Sequence, residues 1–320
     1  MHRLKNLNHE SAEILILAVI LIAFIAVLSI LNPGFLTFNT WESISFQFPE
    51  LGVLTIGMAV TMLVGGINLS CIASANLSAI IMVTIMAALI PEGQDSKTAV
   101  FIAVAVGVLA SVVIGILNGV IIAFFEVPDI LATLSTQLLI GGLNLVITRG
   151  DIFSVSSQTF KQFGNGTLLG IPIPLLIFVV CVVIAAIVLN KTIQGKNMYI
   201  FGSNWTVSRF NGVNRSRLII KTYALSGFFV GIAAIIMTSR FNSASAEYAS
   251  SYLLQTVLIA VLAGVNPDGG KGKTIGLVIA ILLIQVISSG FNIMRIDTHL
   301  STAIWGIILL VSVFINRKNK

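Results

Sequence analysis

Ten apolar runs divide this sequence, at 14–31, 49–66, 70–90, 98–124, 130–148, 172–190, 218–238, 253–265, 274–291 and 299–315. Polar residues or Gly and Pro bound each run, and about 20 apolar residues carry a helix across the ~30 Å hydrocarbon core of a bilayer. No water inside the bilayer satisfies backbone N–H and C=O groups, so each run must close its hydrogen bonds within itself as a helix. Of the 320 residues, 57% are hydrophobic and 9% charged, against about 25% charged in a soluble domain. The expectation is an all-α polytopic membrane protein of about ten transmembrane helices, with residues 1–320 forming a single transmembrane domain. The first run is longer than a signal-peptide core and lacks a small-residue cleavage pattern, so it reads as a retained helix. The run 253–265 is too short to cross alone; it either extends into Ser250–Tyr252 or belongs to a broken helix.

Lys and Arg fix the orientation. With the N-terminus in the cytoplasm, thirteen basic residues fall on the cytoplasmic side and five outside, so the chain is N-in and C-in. The net charge of +6 is thus an effect of membrane topology and does not point to nucleic acid. The segment Lys191–Lys221 holds six basic residues and no Asp or Glu. It reads as a structured cytoplasmic docking surface for a partner, with a loop at 191–217 as its core. Outside, Arg149–Ile171 forms either a short amphipathic helix facing an extracytoplasmic partner or a solvated connection. Cys71 and Cys181 stand apart in apolar runs and read as core residues.

Several chemistries are set aside by the same reading. Pro267-Asp268-Gly269-Gly270-Lys271-Gly272-Lys273-Thr274 ends like a P-loop, but Pro267 stands where the first Gly is needed, and the segment joins two membrane spans. The acidic residues fall at span ends or in loops, whereas proton-coupled carriers need a buried titratable group at mid-membrane. The three His residues are peripheral, no metal-ligand spacing occurs, and no catalytic constellation suggests an enzyme. The spans instead carry neutral polar groups. Asn68, Ser70, Asn118, Gln137, Asn144, Gln285 and Asn292 are candidates for a solute pathway. The alternative is hydrogen bonding between helices. Uncharged donors and acceptors suit a neutral polyhydroxylated solute. Gly65-Gly66 and Gly141-Gly142 allow close helix approach or a break. Gly65-Gly66-Ile67-Asn68 is echoed by Ala263-Gly264-Val265-Asn266, and Gly142-Leu143-Asn144-Leu145 by Gly290-Phe291-Asn292-Ile293, as in a duplicated transporter core.

Five motifs in order carry a resemblance. Gly65-Gly66-Ile67-Asn68-Leu69-Ser70 resembles the GGIDLS signature of permeases from bacterial ABC importers for ribose, xylose, galactose and related sugars, including the autoinducer-2 importer. Leu117-Asn118-Gly119, Val127-Pro128 and Ala132-Thr133-Leu134 resemble the family's LNG…VP…ATLG sequence. The stretch Gly202–Val213, then Leu225-Ser226-Gly227 and the turn Gly264–Gly272, resemble its remaining landmarks. Asn68 stands where Asp is usual, and Val207-Ser208 replace an Ala pair. The resemblance implies a permease with two related halves that pairs with a second permease, identical or paralogous. It further implies a cytoplasmic ABC ATPase, which would hold ATP and Mg, and an extracytoplasmic solute-binding protein; this chain itself would bind no cofactor. Gly202, Asn204, Arg209 and Gly212 match the segment that couples to the ATPase. An ion-coupled or passive secondary carrier of neutral solutes is the competing expectation.

Overall fold

The computed structural model describes residues 2–91, 94–155 and 157–318. Its helices are α1 (His2–Leu31), α2 (Phe38–Met62), α3 (Cys71–Leu89), α4 (Lys97–Phe124), α5 (Asp129–Thr148), α6 (Gln158–Asn165), α7 (Ile173–Lys191), α8 (Ile193–Ser203), α9 (Trp205–Phe210), α10 (Arg215–Phe241), α11 (Tyr252–Leu262), α12 (Thr274–Ile293) and α13 (Thr298–Lys318). Four two-residue strands, β1 (Phe153–Ser154), β2 (Thr167–Leu168), β3 (Ile171–Pro172) and β4 (Ser243–Ala244), form two small antiparallel pairs. Strand β1 pairs with β4 and β2 with β3.

Among the described residues, eight helices are long and apolar enough to cross a membrane, and two shorter apolar stretches lie at Tyr252–Leu262 and His299–Ser312. This agrees with the expectation of about ten spans, of which 253–265 is too short to cross alone. Helix α11 has 11 residues, about 16 Å at 1.5 Å per residue, which is half a bilayer. Ahead of α11 the chain forms β4 and turns over 242–251 instead of further helix.

Helix α2 occupies the centre. Every residue from Phe48 to Val64 is buried, and α7, α10, α11 and α12 pack around it. The helix starts at Phe38, well ahead of the expected boundary at 49, because its first turns form an amphipathic extension that buries Ile44 and Phe48 while Asn39, Glu42 and Ser43 stay exposed. Pro49 lies inside the helix at the transition.

In lipid, the hydrophobic effect does not hold helices together; close packing and hydrogen bonds do. The α4–α10 seam shows how. Gly107, Ser111, Gly115 and Gly119 recur every fourth residue along α4 and so share one face. A methyl group added at Gly115 would strike the Tyr223 carbonyl, and one at Gly119 the Ile220 backbone. Across the seam, Gly227 meets the Ser111 carbonyl and Gly231 its hydroxyl. The two helices run antiparallel in backbone contact. Gly141 and Gly142, by contrast, lie within an unbroken α5 with open space beside them, so neither a break nor close packing occurs there.

Contacts between connecting segments sort into two sets that match the two membrane sides expected from charge. On the outer side, Asp95 accepts from Ser157 Oγ at 2.6 Å, Thr159 N at 2.7 Å and Thr159 Oγ1 at 2.6 Å. Asn165 Nδ2 donates to the Ser239 carbonyl at 2.9 Å. On the inner side, Gly270 N donates to Leu63 O at 2.9 Å and Tyr199 Oη to Gly272 O at 2.9 Å. The segment Arg149–Ile171 does contain a short helix, α6, whose Phe160 is fully buried.

The hydroxyls of Ser157 and Thr159 hold the Asp95 carboxyl below its ordinary value of 3.8. A depressed acid stabilises above its unfolded-state pKa and loses that contribution as pH falls through the folded-state value. Protection of α6 from hydrogen exchange is therefore expected to stay constant above about pH 4 and to fall only below it. Asp95→Asn should lower that protection at neutral pH by about 1 kcal/mol or less, since the group is solvent-exposed.

Candidate functional site

Five side chains from four places in the sequence form one buried chain of hydrogen bonds. Thr136 Oγ1 donates to Asn118 Oδ1 at 2.6 Å, and Asn118 Nδ2 donates to Ser70 Oγ at 2.8 Å. Ser70 Oγ donates to Asn68 Oδ1 at 2.8 Å, and Asn68 Nδ2 donates to Ser226 Oγ at 3.1 Å. The chain ties α5 to α4, to the 63–70 connection and to α10, and all five residues are buried. Thr133 adds a fifth link by donating to the Ile67 carbonyl at 2.8 Å. The 63–70 connection can adopt this path because Gly65 supplies φ +83 at little cost.

Asn68, Ser70 and Asn118 thus bond to other helices in this conformation. Asn118→Leu should leave Ser70 and Thr136 each short of a partner. The expected loss is about 1–3 kcal/mol, read as a lower unfolding temperature in detergent; Thr136→Val removes a single bond and should cost less.

A second group of polar atoms is not satisfied. Asn144 Nδ2 donates to the Ala73 carbonyl at 3.0 Å, and Asn76 Nδ2 donates to the carbonyls of Ala246 at 2.9 Å and Tyr248 at 3.0 Å. The amide oxygens of Asn76, Gln137 and Asn144 are buried with no partner. They belong to α3 and α5, which pack together. Gln285 is buried on α12, and Asn292 is exposed at its outer end. The seven expected pathway residues therefore do not converge: three join the buried chain, two carry unpartnered oxygens, and Gln285 and Asn292 lie elsewhere.

The coupling candidates occupy the inner face. Asn204 caps α9 by accepting from Val207 N at 3.2 Å. Arg209 is exposed in the last turn of α9, and Gly212 follows at φ +73. Gly202 ends α8 wedged between the Leu63 carbonyl and the Gly269–Gly270 backbone, while Gly269 in turn abuts Gly65. Three connections far apart in sequence thus meet backbone to backbone. The P-loop look-alike is the third partner in this junction. Trp205, Val207 and Phe210 of α9 present exposed apolar surface, with Phe210 87% exposed.

One further group lies where no acid was expected. Glu50 is fully buried in α2 and accepts from Arg240 Nε at 2.9 Å, Arg240 Nη2 at 2.6 Å and Tyr252 Oη at 2.6 Å. The guanidinium also lies 4.4 Å from the centre of the Phe241 ring. In sequence Glu50 sat at the rim of an apolar run beside Pro49, the position of an ordinary solvated acid. Its place inside the apolar run 49–66 was the available signal.

Residues 40–313 match the family described as "Branched-chain amino acid transport system / permease component". The chain belongs to this permease family. Over 300 residues the permease is 32% identical to the ribose import permease protein RbsC of Bacillus subtilis (strain 168), covering 93% of this chain and 91% of that protein. It is 30% identical over 305 residues to the autoinducer 2 import system permease protein LsrD of Photorhabdus temperata, covering 93% and 89%. With the ribose import permease RbsC of Escherichia coli (strain K12) it shares 29% over 304 residues. No solved structure matches. These relatives and the apolar helices make the permease a multi-pass protein of the bacterial inner membrane.

The first internal echo has a structural counterpart. Gly65 N donates to Met62 O and Gly66 N to Thr61 O, while Gly264 N donates to Val261 O and Val265 N to Ala260 O. Gly65 and Gly264 have φ of 83° and 80°, so the permease ends α2 and α11 with the same Schellman turn. The second echo does not carry over, because Asn144 is buried and Asn292 exposed.

Proposed function

We propose that this chain is the membrane-spanning subunit of an ATP-driven, binding-protein-dependent importer for a neutral polar solute of the sugar type. Residues 1–320 act as one permease domain paired with a second permease, identical or paralogous. ATP and Mg belong to a cytoplasmic ABC ATPase, and the solute arrives on an extracytoplasmic binding protein.

The observation that carries this reading is the inner-face unit α8–α9. An exposed apolar and basic helix ends an arm whose Gly202 is locked to the end of α2 and to the connection between α11 and α12. A partner that moved α9 would move those helices as well, which is what coupling requires. The unpartnered oxygens of Asn76, Gln137 and Asn144 fit a solute that offers hydroxyl donors. Family membership and the ribose and autoinducer 2 relatives support the same class of solute.

Affinity purification of the chain from its host in mild detergent tests the reading. An ATP-hydrolysing subunit is expected in the preparation, and a second permease subunit with it. A monodisperse chain with no ATPase, under conditions that keep a known importer intact, would transfer the assignment to a secondary carrier.

A further inference from the structure

The segment 242–251 links α10 to α11; its start is paired with β1 through β4, and the rest of it is held by side chains from two helices. From α3, Asn76 donates to the carbonyls of Ala246 and Tyr248. From α2, Glu50 binds the residues that bracket the segment: Arg240, two residues before it, and Tyr252, the first residue after it. Asn242 and Ala249 both take left-handed φ, of 55° and 56°. For alanine this is an uncommon conformation, which persists only where the surroundings impose it. Asn76 Oδ1 sits beside the clamped carbonyls with no partner of its own.

We propose that segment 242–251 closes the outer end of the solute pathway, and that Glu50, Arg240, Tyr252 and Asn76 are the latch that keeps it closed. The latch groups are positioning residues, which act by holding the segment. Pairing with β1 anchors only Asn242–Ala244, so release of these side-chain bonds would free residues 245–251 to move. Opening would free the Ala246 and Tyr248 carbonyls and the whole Asn76 amide together, so a hydroxylated solute entering from outside would meet donors and acceptors in one place. The proposal rests on the transport reading above.

The test is cysteine accessibility. Cys71 and Cys181 are buried, so an Ala246→Cys permease reconstituted in liposomes gives a single reporter for a membrane-impermeant maleimide added from the outer side. Labelling is expected to be slow in the parent and at least ~10-fold faster with Tyr252→Phe, because a hydrogen bond to an ionised group biases a two-state equilibrium by that factor or more. Glu50→Gln should accelerate labelling further, and Tyr252→Phe keeps the test alive should Glu50→Gln fail to fold. Solute uptake by the complete importer should fall in both variants. Unchanged labelling in both would overturn the latch. Faster labelling with normal uptake would overturn the pathway assignment by making the segment mobile but off the route. Labelling needs no ATPase, so its failure is distinct from failure of the importer reading.

Discussion

Gly202→Val is expected to leave the permease folded and bound to its ATPase but to cut solute uptake at least ~10-fold. The side chain would enter space filled by the Leu63 carbonyl and the Gly269–Gly270 backbone. Backbone cannot rotate away as a flexible side chain can, so the junction must open. Overpacking of this kind costs about 1–3 kcal/mol, and each 1.36 kcal/mol of misplacement in a rate-determining movement is a factor of ten. The docking face on α9, with Trp205, Val207 and Phe210, is left unaltered. Co-purification with the ATPase and hydrolysis should therefore persist while uptake fails. Wild-type uptake by the Gly202→Val importer would show that α8 is not the mechanical link to α2. Loss of the ATPase from the complex would assign Gly202 to docking instead.

The spans were readable because the bilayer imposes a coarse rule on sequence. Runs long enough to span cannot hide among alternatives, and the observed ends of α3, α4, α5, α7 and α12 lie within a few residues of those expected. Lys and Arg gave the sides, and the pairing of Asp95 with Ser157 and of Leu63 with Gly202 follows that assignment. What stayed hidden depends on neighbours that a one-dimensional pattern does not name. Asn118 looks the same in sequence whether it faces a solute or Ser70. The pairing of Ser111, Gly115 and Gly119 on α4 with α10 was not named in sequence, because half of the α10 face, Tyr223 and Ile220, meets it through backbone beside Gly227 and Gly231. Gly141-Gly142 offers the reverse case, a motif for close approach with nothing near it. Segment 242–251 looks like a loop in sequence; its clamping by Asn76 depends on a neighbour 170 residues away.

Glu50→Leu is expected to destabilise the permease by about 3–5 kcal/mol, the cost of leaving a buried charge uncompensated. Arg240 keeps only 20% of its side-chain surface exposed, too little for water to replace both lost carboxylate bonds. The Tyr252 hydroxyl loses its acceptor in the same step. The double variant Glu50→Leu, Arg240→Leu should recover much of that loss, since it removes the charge along with its partner and leaves one polar group, the tyrosine hydroxyl, to find a new acceptor. Thermal unfolding of both variants in the same detergent reads the difference. A double variant no more stable than Glu50→Leu would mean that the energy resides in packing around Glu50 rather than in the charge pair. Recovery of stability without recovery of uptake would separate the two roles of the cluster: the ion pair would then be dispensable for the fold, and its retention in an apolar interior would answer to the movement of segment 242–251.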